Sequence, residues 1–320
     1  MKAAVLHELG KAPRFEEFAE PTAGKDEVIV RVRAASLKGV DRQLASGSHY
    51  ASPRELPVVC GTDGVGKIED GTRVFFGGAR RPYGAMAECT VAPRAFCFSV
   101  PSGLDDDAAA ALPNPGVSAW LTLAHRAKLA PGETVLLLGA TGVTGHLAVQ
   151  IAKLLGAKRV IGAGRNERML ERLRELGADA TIQLDQSDES LKDAFACEAA
   201  VAEFDVIIDY LWGHPTEVLL AAITKSEFAP VTKETRLVQV GESAGPTISL
   251  PAAVLRSTAL TILGTAGMPS REILVDAMEQ VMVRGARGEL RIETERVPLS
   301  EIESSWQRKE QPGRRIVVIP

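Results

Sequence analysis

Three glycines, Gly139, Gly142 and Gly145, are the residues of this chain whose spacing most directly indicates chemistry. They follow an apolar run of strand length, 134–138, and a helical pattern begins directly after them. Glycines allow a tight turn and a close approach of the backbone to phosphates, and a helix start offers N–H groups and a positive dipole end. The strict G-x-G-x-x-G spacing is not met, because Ala140 stands in its first position. The segment predicts a site for a dinucleotide pyrophosphate, formed by Gly139, Thr141, Gly142, Val143, Thr144 and Gly145.

The end of the next apolar strand indicates which dinucleotide would bind. Residues 159–163 follow the glycine segment after one helix, for which Gly156 is the predicted C-terminal stop. Enzymes that bind NAD place an acidic residue at that strand end, where it takes the ribose hydroxyls. This chain has Gly164, Arg165 and Asn166 there, and a guanidinium can bind a 2′-phosphate through two hydrogen bonds. We therefore expect NADPH rather than NADH, with Arg165 and Asn166 at the cofactor; the alternative for Arg165 is a solvated loop residue.

Residues that form other kinds of catalytic site are scattered. The four cysteines include no C-x-x-C pair, which argues against a structural zinc lobe and a disulfide framework. No H-E-x-x-H motif occurs. His146 lies in the first helical turn after the glycines, where such residues more often pack or face solvent. His214 follows an apolar strand, at the sheet edge where ligands bind, and is a minor candidate.

The composition is typical of a soluble globular enzyme. The chain of 320 residues is 45% hydrophobic and 24% charged, and 37 basic against 41 acidic residues give a formal charge of −4. That balance gives no indication of nucleic acid or an anionic membrane as a partner. No run approaches the roughly 18 apolar residues of a membrane span, and the N-terminal apolar stretch is too short for a signal peptide. We expect a cytoplasmic protein with a small-molecule substrate.

The distribution of apolar residues predicts two kinds of structure along the chain. Before about residue 116, short stretches punctuated by Gly and Pro predict a mainly β region with strands near 28–34, 71–76 and 87–91. From residue 134 onward, apolar strands alternate with helical periodicity, which is typical of a doubly wound parallel sheet. The six strands predicted for this sheet are 134–139, 159–163, 180–184, 204–211, 236–241 and 259–264.

Two later strands are expected to rejoin the first region. They are predicted at 289–293 and 315–319, after the periodicity changes near Gly285. A chain of this length also fits two domains better than one core. The predicted division is therefore 1–116 and 287–320 for one domain and 117–286 for the other.

Five groups of short motifs occur together in the order and spacing typical of one known family. They are A-A-S-L-K-G-V-D-R at 34–42, G-T-D-G-V-G at 61–66, G-A-M-A-E at 84–88, A-A-A-L at 109–112 with G-V-S-A at 116–119, and the glycine segment with A-V-Q at 148–150. Together they resemble the medium-chain dehydrogenase/reductases, and look closest to the zinc-independent quinone oxidoreductase branch. The resemblance covers nearly the whole chain. It implies an α/β Rossmann domain with a doubly wound parallel sheet, a mainly β GroES-like catalytic domain, and a homodimer.

The chain departs from the zinc-dependent members of that family at their metal-ligand positions. Those relatives place Cys-His where this chain has Lys38 and Gly39, and Gly-His-Glu where it has 61–63. A catalytic zinc needs about three protein ligands and one open position, and neither Lys38, Gly39 nor Thr62 is a ligand. We therefore expect no metal.

The resemblance also suggests which side chains lie around the substrate. It places Lys38, Asp41 and Tyr50 at the substrate cleft, although the quinone oxidoreductases usually carry asparagine at the position of Lys38. The alternatives are a buried hydrogen-bonding turn residue for Asp41 and a solvated loop residue for Lys38.

Further cofactor contacts are implied by the same resemblance. Ser118 is expected to approach the nicotinamide, and a loop after the fifth strand of the parallel sheet is expected to close over the cofactor. That loop consists of Gly241, Glu242 and Ser243. Either Arg314 or Arg315 matches a basic position that the family turns toward the cofactor, the alternative being a charged turn before the last strand.

These inferences predict a zinc-independent, NADPH-dependent oxidoreductase that passes hydride to a quinone or to the β-carbon of an α,β-unsaturated carbonyl. With no metal to polarise the acceptor oxygen, acceptors whose conjugation spreads the negative charge are favoured, and the protein supplies positioning and hydrogen-bond donors. The dinucleotide is expected at the carboxyl ends of the strands and the acceptor in the crevice between domains. The alternatives are a reductase or dehydrogenase of another carbonyl, with Lys38 as the acid, and a non-catalytic NADPH-binding sensor.

Overall fold

A computed structural model describes residues 1–224, 233–265, 267, 269–308 and 311–320. The strands are β1 (Lys2–Leu6), β2 (Arg14–Glu17), β3 (Glu27–Leu37), β4 (Val58–Val59), β5 (Asp63–Lys67), β6 (Arg73–Gly77), β7 (Cys89–Pro93), β8 (Cys97–Ser99), β9 (Thr134–Leu138), β10 (Arg159–Gly164), β11 (Ala180–Gln183), β12 (Val206–Asp209), β13 (Thr235–Gln239), β14 (Leu260–Gly264), β15 (Glu293–Pro298) and β16 (Arg314–Ile319). The α-helices are α1 (Gly39–Ser46), α2 (Asp106–Ala111), α3 (Pro113–Trp120), α4 (Val143–Leu154), α5 (Glu167–Glu175), α6 (Asp188–Val201), α7 (His214–Ile223), α8 (Ala252–Ser257), α9 (Arg271–Ala286) and α10 (Ile302–Gln307).

The chain divides into two compact units. One, here called the split unit, comprises residues 1–114 and 278–320, and the other, the central unit, comprises residues 115–277. The first boundary lies two residues before the position proposed from the sequence. The second lies inside α9, whereas the sequence analysis placed it at the end of that helix.

The central unit is built on a six-stranded parallel sheet in the order β11-β10-β9-β12-β13-β14. In chain order the strands run 3-2-1-4-5-6, the order of the doubly wound dinucleotide-binding fold. The central strand β9 is buried along its whole length, since helices cover both faces of such a sheet. Leu137 in this strand lies opposite Gly162 on one side and Ile208 on the other. The predicted parallel sheet and all six of its strands are confirmed, with ends that differ by two residues or fewer.

The split unit is mainly β, as predicted. A three-stranded sheet has the order β2-β1-β4, and a seven-stranded sheet has the order β15-β16-β3-β5-β6-β8 with β7 also paired to β3. The long strand β3 pairs with β7 through residues 27–31 and with β16 through residues 35–37. Its C-terminal end at Leu37 is therefore held on the sheet, and the next residue, Lys38, is the N-cap of α1.

The strand predicted at 289–293 is wrong in its position, because β15 begins only at Glu293. Residues 287–290 instead close the C-terminal end of α9. The N–H of Glu289 donates to the carbonyl oxygen of Arg284 at 2.9 Å, and Gly288 adopts a left-handed φ of +72°. The start of the segment predicted as a strand therefore serves to cap α9.

Within the described ranges, no helix is both long enough and apolar enough to cross a lipid bilayer.

Candidate functional site

The glycine segment forms a tight turn at the carboxyl edge of the six-stranded sheet. Gly139 follows β9 with a φ of +82°, which L side chains rarely adopt, and the N–H groups of Gly139 and Ala140 both donate to the carbonyl oxygen of Ala163. Gly142 then serves as the N-cap of α4 in an extended conformation. The turn is thus tied to the end of β10 before the helix starts.

The glycines at positions 142 and 145 serve two different purposes. A Cβ atom on Gly145 would lie 2.5 Å from both the Cα and the carbonyl oxygen of Ala140, so only glycine lets α4 start this close to the turn. A Cβ atom on the exposed Gly142 would meet nothing nearer than the Gly139 carbonyl oxygen at 3.7 Å. The space in front of Gly142 is therefore open to a ligand.

We expect Gly145→Ala to lower the free energy of unfolding by about 1–3 kcal/mol, the usual penalty for forcing extra atoms into a packed site. Gly39→Ala is the matched control, since Gly39 also lies in a helix but a Cβ there meets nothing within 4 Å. Urea denaturation of both variants checks this. Equal unfolding midpoints for the two variants would contradict the packing role assigned to Gly145.

The start of α4 offers N–H groups to a ligand. The first N–H groups of a helix have no acceptor within the helix, and no side chain caps this one. Val143 and Thr144 occupy this first turn, where the helix dipole also favours negative charge. The Thr141 side chain packs over the end of β10, since a Cβ on Gly164 would lie 2.3 Å from its Cγ2 atom. The turn and helix start together fit a diphosphate.

The residues after β10 take different roles. Asn166 is the N-cap of α5, and its Oδ1 accepts the N–H of Met169 at 3.1 Å. Arg165 is exposed, and nothing within the described ranges forms an ion pair with it. An exposed guanidinium beside the diphosphate turn, with no carboxylate pairing it, suits a 2′-phosphate.

Asp209, at the end of β12, was missed by the sequence analysis. Its buried carboxylate accepts the N–H groups of Leu211 and Trp212 through Oδ1, both at 2.8 Å, and the Thr216 hydroxyl through Oδ2 at 2.6 Å. Burial raises the pKa of this carboxyl, while these three hydrogen bonds oppose the rise. Asp209 therefore fixes the loop after β12. The signal available in the sequence was an aspartate closing the apolar run of that strand.

The segment predicted to close over the cofactor packs against that loop. A Cβ on Gly241 would lie 2.6 Å from the carbonyl oxygen of Tyr210, and the Ser243 hydroxyl donates to the same oxygen at 3.1 Å. Glu242 accepts the N–H of Gly245 through its backbone oxygen. Gly241, Glu242 and Ser243 thus follow β13 at the same edge of the sheet as the glycine turn.

Ser118 is less informative. It lies in α3, where its carbonyl oxygen accepts the hydroxyl of Thr122 at 2.7 Å. Among the residues that the structure describes, no hydrogen bond joins its side chain to the glycine turn.

A second polar centre lies in the split unit, where β3 passes into α1. The Lys38 ammonium donates to Asp63 Oδ1 at 2.8 Å, and to the hydroxyl and carbonyl oxygens of Ser36 at 3.2 and 3.1 Å. Asp41 Oδ2 lies 3.4 Å from the same ammonium and accepts the backbone N–H of Lys38 at 2.9 Å. The other Asp41 oxygen accepts the N–H of Thr62 at 3.0 Å. We call Lys38, Asp41 and Asp63 the buried ion cluster.

The cluster holds Lys38 as a buried cation. The residue is 2% exposed, and Ser36 and Asp63 take hydrogen bonds that can engage all three ammonium donors. Burial disfavours the charged form, but Asp41 and Asp63 outweigh that effect and raise the pKa of Lys38. The structure brings Lys38 and Asp41 together and turns the ammonium toward carboxylates inside the protein. The solvated-loop alternative for Lys38 is wrong.

The two basic candidates, Arg314 and Arg315, are the first residues of the last strand, β16, and have different surroundings. Arg315 is 7% exposed and donates Nη1 to the carbonyl oxygen of Leu37 at 3.2 Å, beside the buried ion cluster. Arg314 is exposed and lies 3.8 Å from Glu293 on the neighbouring strand. Arg315 thus contributes to the structure around Lys38.

Tyr50 does not join this centre. Its ring is 98% exposed and stacks on His49, with ring centroids 4.2 Å apart. No described contact links it to Lys38 or Asp41.

The donor set does not fit a catalytic zinc. In the part of the chain that the structure describes, no three His, Cys, Asp or Glu side chains are grouped so that they could hold a metal ion. Lys38 places an ammonium between Asp41 and Asp63, and a divalent cation there would be repelled.

Comparison with known proteins identifies the family. Residues 24–102 match the model of the alcohol dehydrogenase GroES-like domain, and residues 143–282 match the model of the zinc-binding dehydrogenases. A quinone oxidoreductase-like protein 2 homologue from Nematostella vectensis is 30% identical over 269 residues, covering 79% of this chain and 69% of that protein. A trans-enoyl reductase from Aspergillus terreus is 29% identical over 219 residues, covering 62% and 58% of the two chains.

Among solved structures, the quinone oxidoreductase from Thermus thermophilus, also determined in complex with NADPH, is 28% identical. Its TM-score is 0.79, with full coverage of both chains. The order of the motifs, the strand order and these matches agree: the chain belongs to the medium-chain dehydrogenase/reductase superfamily, in its quinone oxidoreductase-like branch.

Proposed function

We propose that this protein is a zinc-independent, NADPH-dependent oxidoreductase that reduces a quinone or an α,β-unsaturated carbonyl. The observation that carries the proposal is the edge of the central unit's sheet, where an uncapped helix start and an exposed Arg165 lie beside a glycine turn. The NADPH complex of the Thermus relative supports the choice of cofactor, and the quinone and enoyl reductase relatives support the choice of acceptor.

The chain's own residues would bind and orient the cofactor. The N–H groups of Val143 and Thr144 and the open space at Gly142 would hold the diphosphate. Arg165 would bind the 2′-phosphate, and Asn166 would keep α5 in place beside it. The loop of Gly241, Glu242 and Ser243 would line the same edge of the sheet. It packs against the loop after β12, which Asp209 holds in place, and this contact would keep it rigid.

The reaction balances with one proton from solvent. NADPH supplies a hydride, that is, a proton with two electrons. For a quinone, addition of hydride and one proton gives the hydroquinone and NADP⁺. For an enone, hydride adds to the β-carbon and the proton to the α-carbon, giving the saturated carbonyl. In both cases negative charge develops on a carbonyl oxygen, which hydrogen-bond donors must stabilise.

The buried ion cluster would act as a rigid frame in the split unit. Lys38 and Asp41 fix the start of α1 and the backbone of Thr62 to one another, so we assign them positioning roles. A hydrogen bond donated by Tyr50 to the acceptor stays a prediction. The formation of a homodimer does so as well.

The test is anaerobic oxidation of NADPH by a panel of 1,4-naphthoquinone, 2-cyclohexen-1-one and matched saturated ketones and aldehydes. We expect the conjugated acceptors to be reduced and the saturated carbonyls to react far more slowly. Reduction of saturated carbonyls alone would replace the proposal with a different carbonyl reductase. NADPH binding without turnover on any acceptor would indicate a sensor.

Metal content gives a separate prediction. Because Lys38 already places an ammonium between Asp41 and Asp63, the purified protein should hold no stoichiometric zinc and should keep its activity in a strong chelator. Elemental analysis checks the first statement and an assay in chelator the second. About one zinc per chain, with activity lost on its removal, would contradict the prediction.

A further inference from the structure

A large cavity lies in the split unit, away from the residues described so far. Its volume is about 840 Å³, within the range of roughly 300–1,000 Å³ that is common for ligand pockets. The start of β3 with the turn before it, the turn between β5 and β6, and Arg94 line this cavity. It shares no lining residue with the buried ion cluster or with the glycine turn.

Three cations line the cavity. Arg31 on β3 lies directly opposite Lys67 on β5, and Arg94 belongs to the short helical turn after β7. All three are exposed, and none of them forms an ion pair with a residue that the structure describes. Like charges directly opposite one another on neighbouring strands are destabilising. An anion bound between Arg31 and Lys67 would therefore stabilise this pair of strands.

The neighbouring cations on the same sheet are neutralised within the protein. Arg33 follows Arg31 by two residues on β3, and Arg73 on β6 lies directly opposite Lys67. Both pair with Asp106, at 2.6 and 3.3 Å. The sequence thus supplies a carboxylate for two cations of this group and leaves Arg31 and Lys67 to the cavity.

The carboxylates that line the cavity do not cancel these charges. Glu27 accepts the guanidinium of Arg80 at 2.8 Å, so a cation from outside the lining neutralises it. Asp70 accepts the backbone N–H of Thr72 at 2.8 Å, and Glu69 is exposed. With these two carboxylates set against three cations, the lining keeps one positive charge in excess. A ligand with a single negative charge would balance it.

The rest of the lining is apolar. Val28 is buried, and Ile29 and Ile68 are half-buried beside the cations. Apolar side chains favour an uncharged, apolar ligand body, because its burial removes apolar surface from water. A ligand that combines one anionic group with a hydrocarbon body meets both requirements.

Hydrogen bonds order both turns that line the cavity. In the turn before β3, Asp26 adopts a left-handed φ of +64°, and its carbonyl oxygen accepts the N–H of Arg94 at 2.9 Å. In the turn between β5 and β6, the N–H of Gly71 donates to the carbonyl oxygen of Ile68 at 2.9 Å. A site that is ordered before the ligand arrives loses little conformational freedom on binding.

We propose that this cavity binds a small organic monoanion, a carboxylate with an apolar body of the medium-chain fatty acid type. Its carboxylate lies between Arg31 and Lys67, and its hydrocarbon body lies against Ile29 and Ile68. This site is additional to the cofactor and acceptor sites of the proposed reaction, so it does not depend on the function proposed above.

The test measures octanoate binding to the full chain by isothermal titration calorimetry. Arg31→Gln and Lys67→Gln should each weaken binding about fivefold, the upper limit for one exposed ion pair. Arg54→Gln is the matched control, because Arg54 is also exposed without an ion pair to a described residue but lies outside the cavity lining. Unchanged affinity in both cavity variants, or no measurable octanoate binding to the unmodified protein, would overturn the proposal.

Two other compounds separate the parts of the ligand. Octanamide has a similar body without the charge, so it should bind more weakly than octanoate and with the same affinity to all these variants. Inorganic phosphate carries charge without a hydrocarbon body and should also bind more weakly than octanoate. Phosphate binding as tight as that of octanoate would contradict the role given to the apolar lining.

A pair of substitutions at one position tests the cavity itself. Ala23 lines it and is exposed, so a larger side chain there should not disturb the fold. Ala23→Glu adds a carboxylate that competes for the cations and should weaken octanoate binding. Ala23→Gln has nearly the same size without the charge and should weaken it much less. Equal octanoate affinities for these two variants, both folded by circular dichroism, would place the anion elsewhere and overturn the proposal.

Discussion

Replacement of Lys38 by methionine is expected to lower the free energy of unfolding by about 3–5 kcal/mol, the scale for removing one partner of a buried ion pair. Asp41 and Asp63 are 3% and 7% exposed, so the substitution would leave two buried carboxylates without their cation. Urea denaturation followed by fluorescence measures the loss. The effect should be much larger than any change in NADPH affinity.

Two further variants give this prediction its controls. Lys2→Met removes an exposed ion pair, Lys2–Glu17 at 3.3 Å, and should change stability by less than about 1 kcal/mol. Lys38→Met combined with Asp63→Asn removes cation and anion together and should recover part of the loss. A Lys38→Met variant as stable as Lys2→Met would show that the buried ion cluster contributes little to stability.

The pH dependence of the Lys38→Met variant follows from the same cluster. Burial already pushes the pKa of the Asp63 carboxyl upward, and Lys38 opposes this. Without Lys38, the pKa of the Asp63 carboxyl in the folded protein rises further above its value in the unfolded chain. Keeping this carboxyl buried then costs stability only at pH values at which it is ionised in the unfolded chain. The deficit relative to the unmodified protein should therefore be small at acidic pH and grow as the pH rises through the raised pKa. Denaturation curves from about pH 4 to about pH 8 check the direction.

Arg165→Ala is expected to reduce the preference for NADPH over NADH about ten- to a hundredfold. A charge-assisted contact to the 2′-phosphate is worth about 1.5–3 kcal/mol, and NADH has no phosphate there to lose. Fluorescence titration of both cofactors measures the two affinities. The affinity for NADH should be nearly unchanged.

Arg174→Ala is the control for that experiment. Arg174 lies in the last turn of α5, where it donates to the Thr181 hydroxyl at 3.0 Å, and its loss should not alter the cofactor preference. Equal affinities for NADPH and NADH in the unmodified protein, or equal effects of the two substitutions, would contradict the role proposed for Arg165.

The parts of this fold that could be predicted from sequence are those specified by residues close together in the chain. The glycine turn, its strand and its helix occupy one continuous segment, 134–154, so apolar periodicity and glycine spacing sufficed. The parallel sheet was predictable for the same reason, since each strand carries a continuous apolar run between helices.

The centre around Lys38 could be only partly predicted. Family resemblance selected Lys38 and Asp41, but the partner that determines the chemistry of Lys38 is Asp63, 25 residues away and brought close by the pairing of β3 with β5. No local pattern reports such a pair. The loop role of Asp209 likewise depends on tertiary contacts.

Tyr50 illustrates a different limit. Its phenol is a suitable hydrogen-bond donor. Whether that donor is shielded from water depends on its burial, which the tertiary structure determines. The ring is almost fully exposed and stacks only on its neighbour His49.

The most direct test of the central claim, hydride transfer from NADPH to a carbonyl acceptor, is an isotope measurement. NADPH deuterated at the 4R or at the 4S position is mixed anaerobically with excess protein and the best acceptor of the panel, and its oxidation is followed in a single turnover. We predict that deuterium slows oxidation, or appears on the β-carbon of a reduced enone, for one of the two labels only, because the protein presents one face of the nicotinamide. Oxidation with no dependence on either label, or tight NADPH binding with no oxidation by any acceptor, would contradict the account.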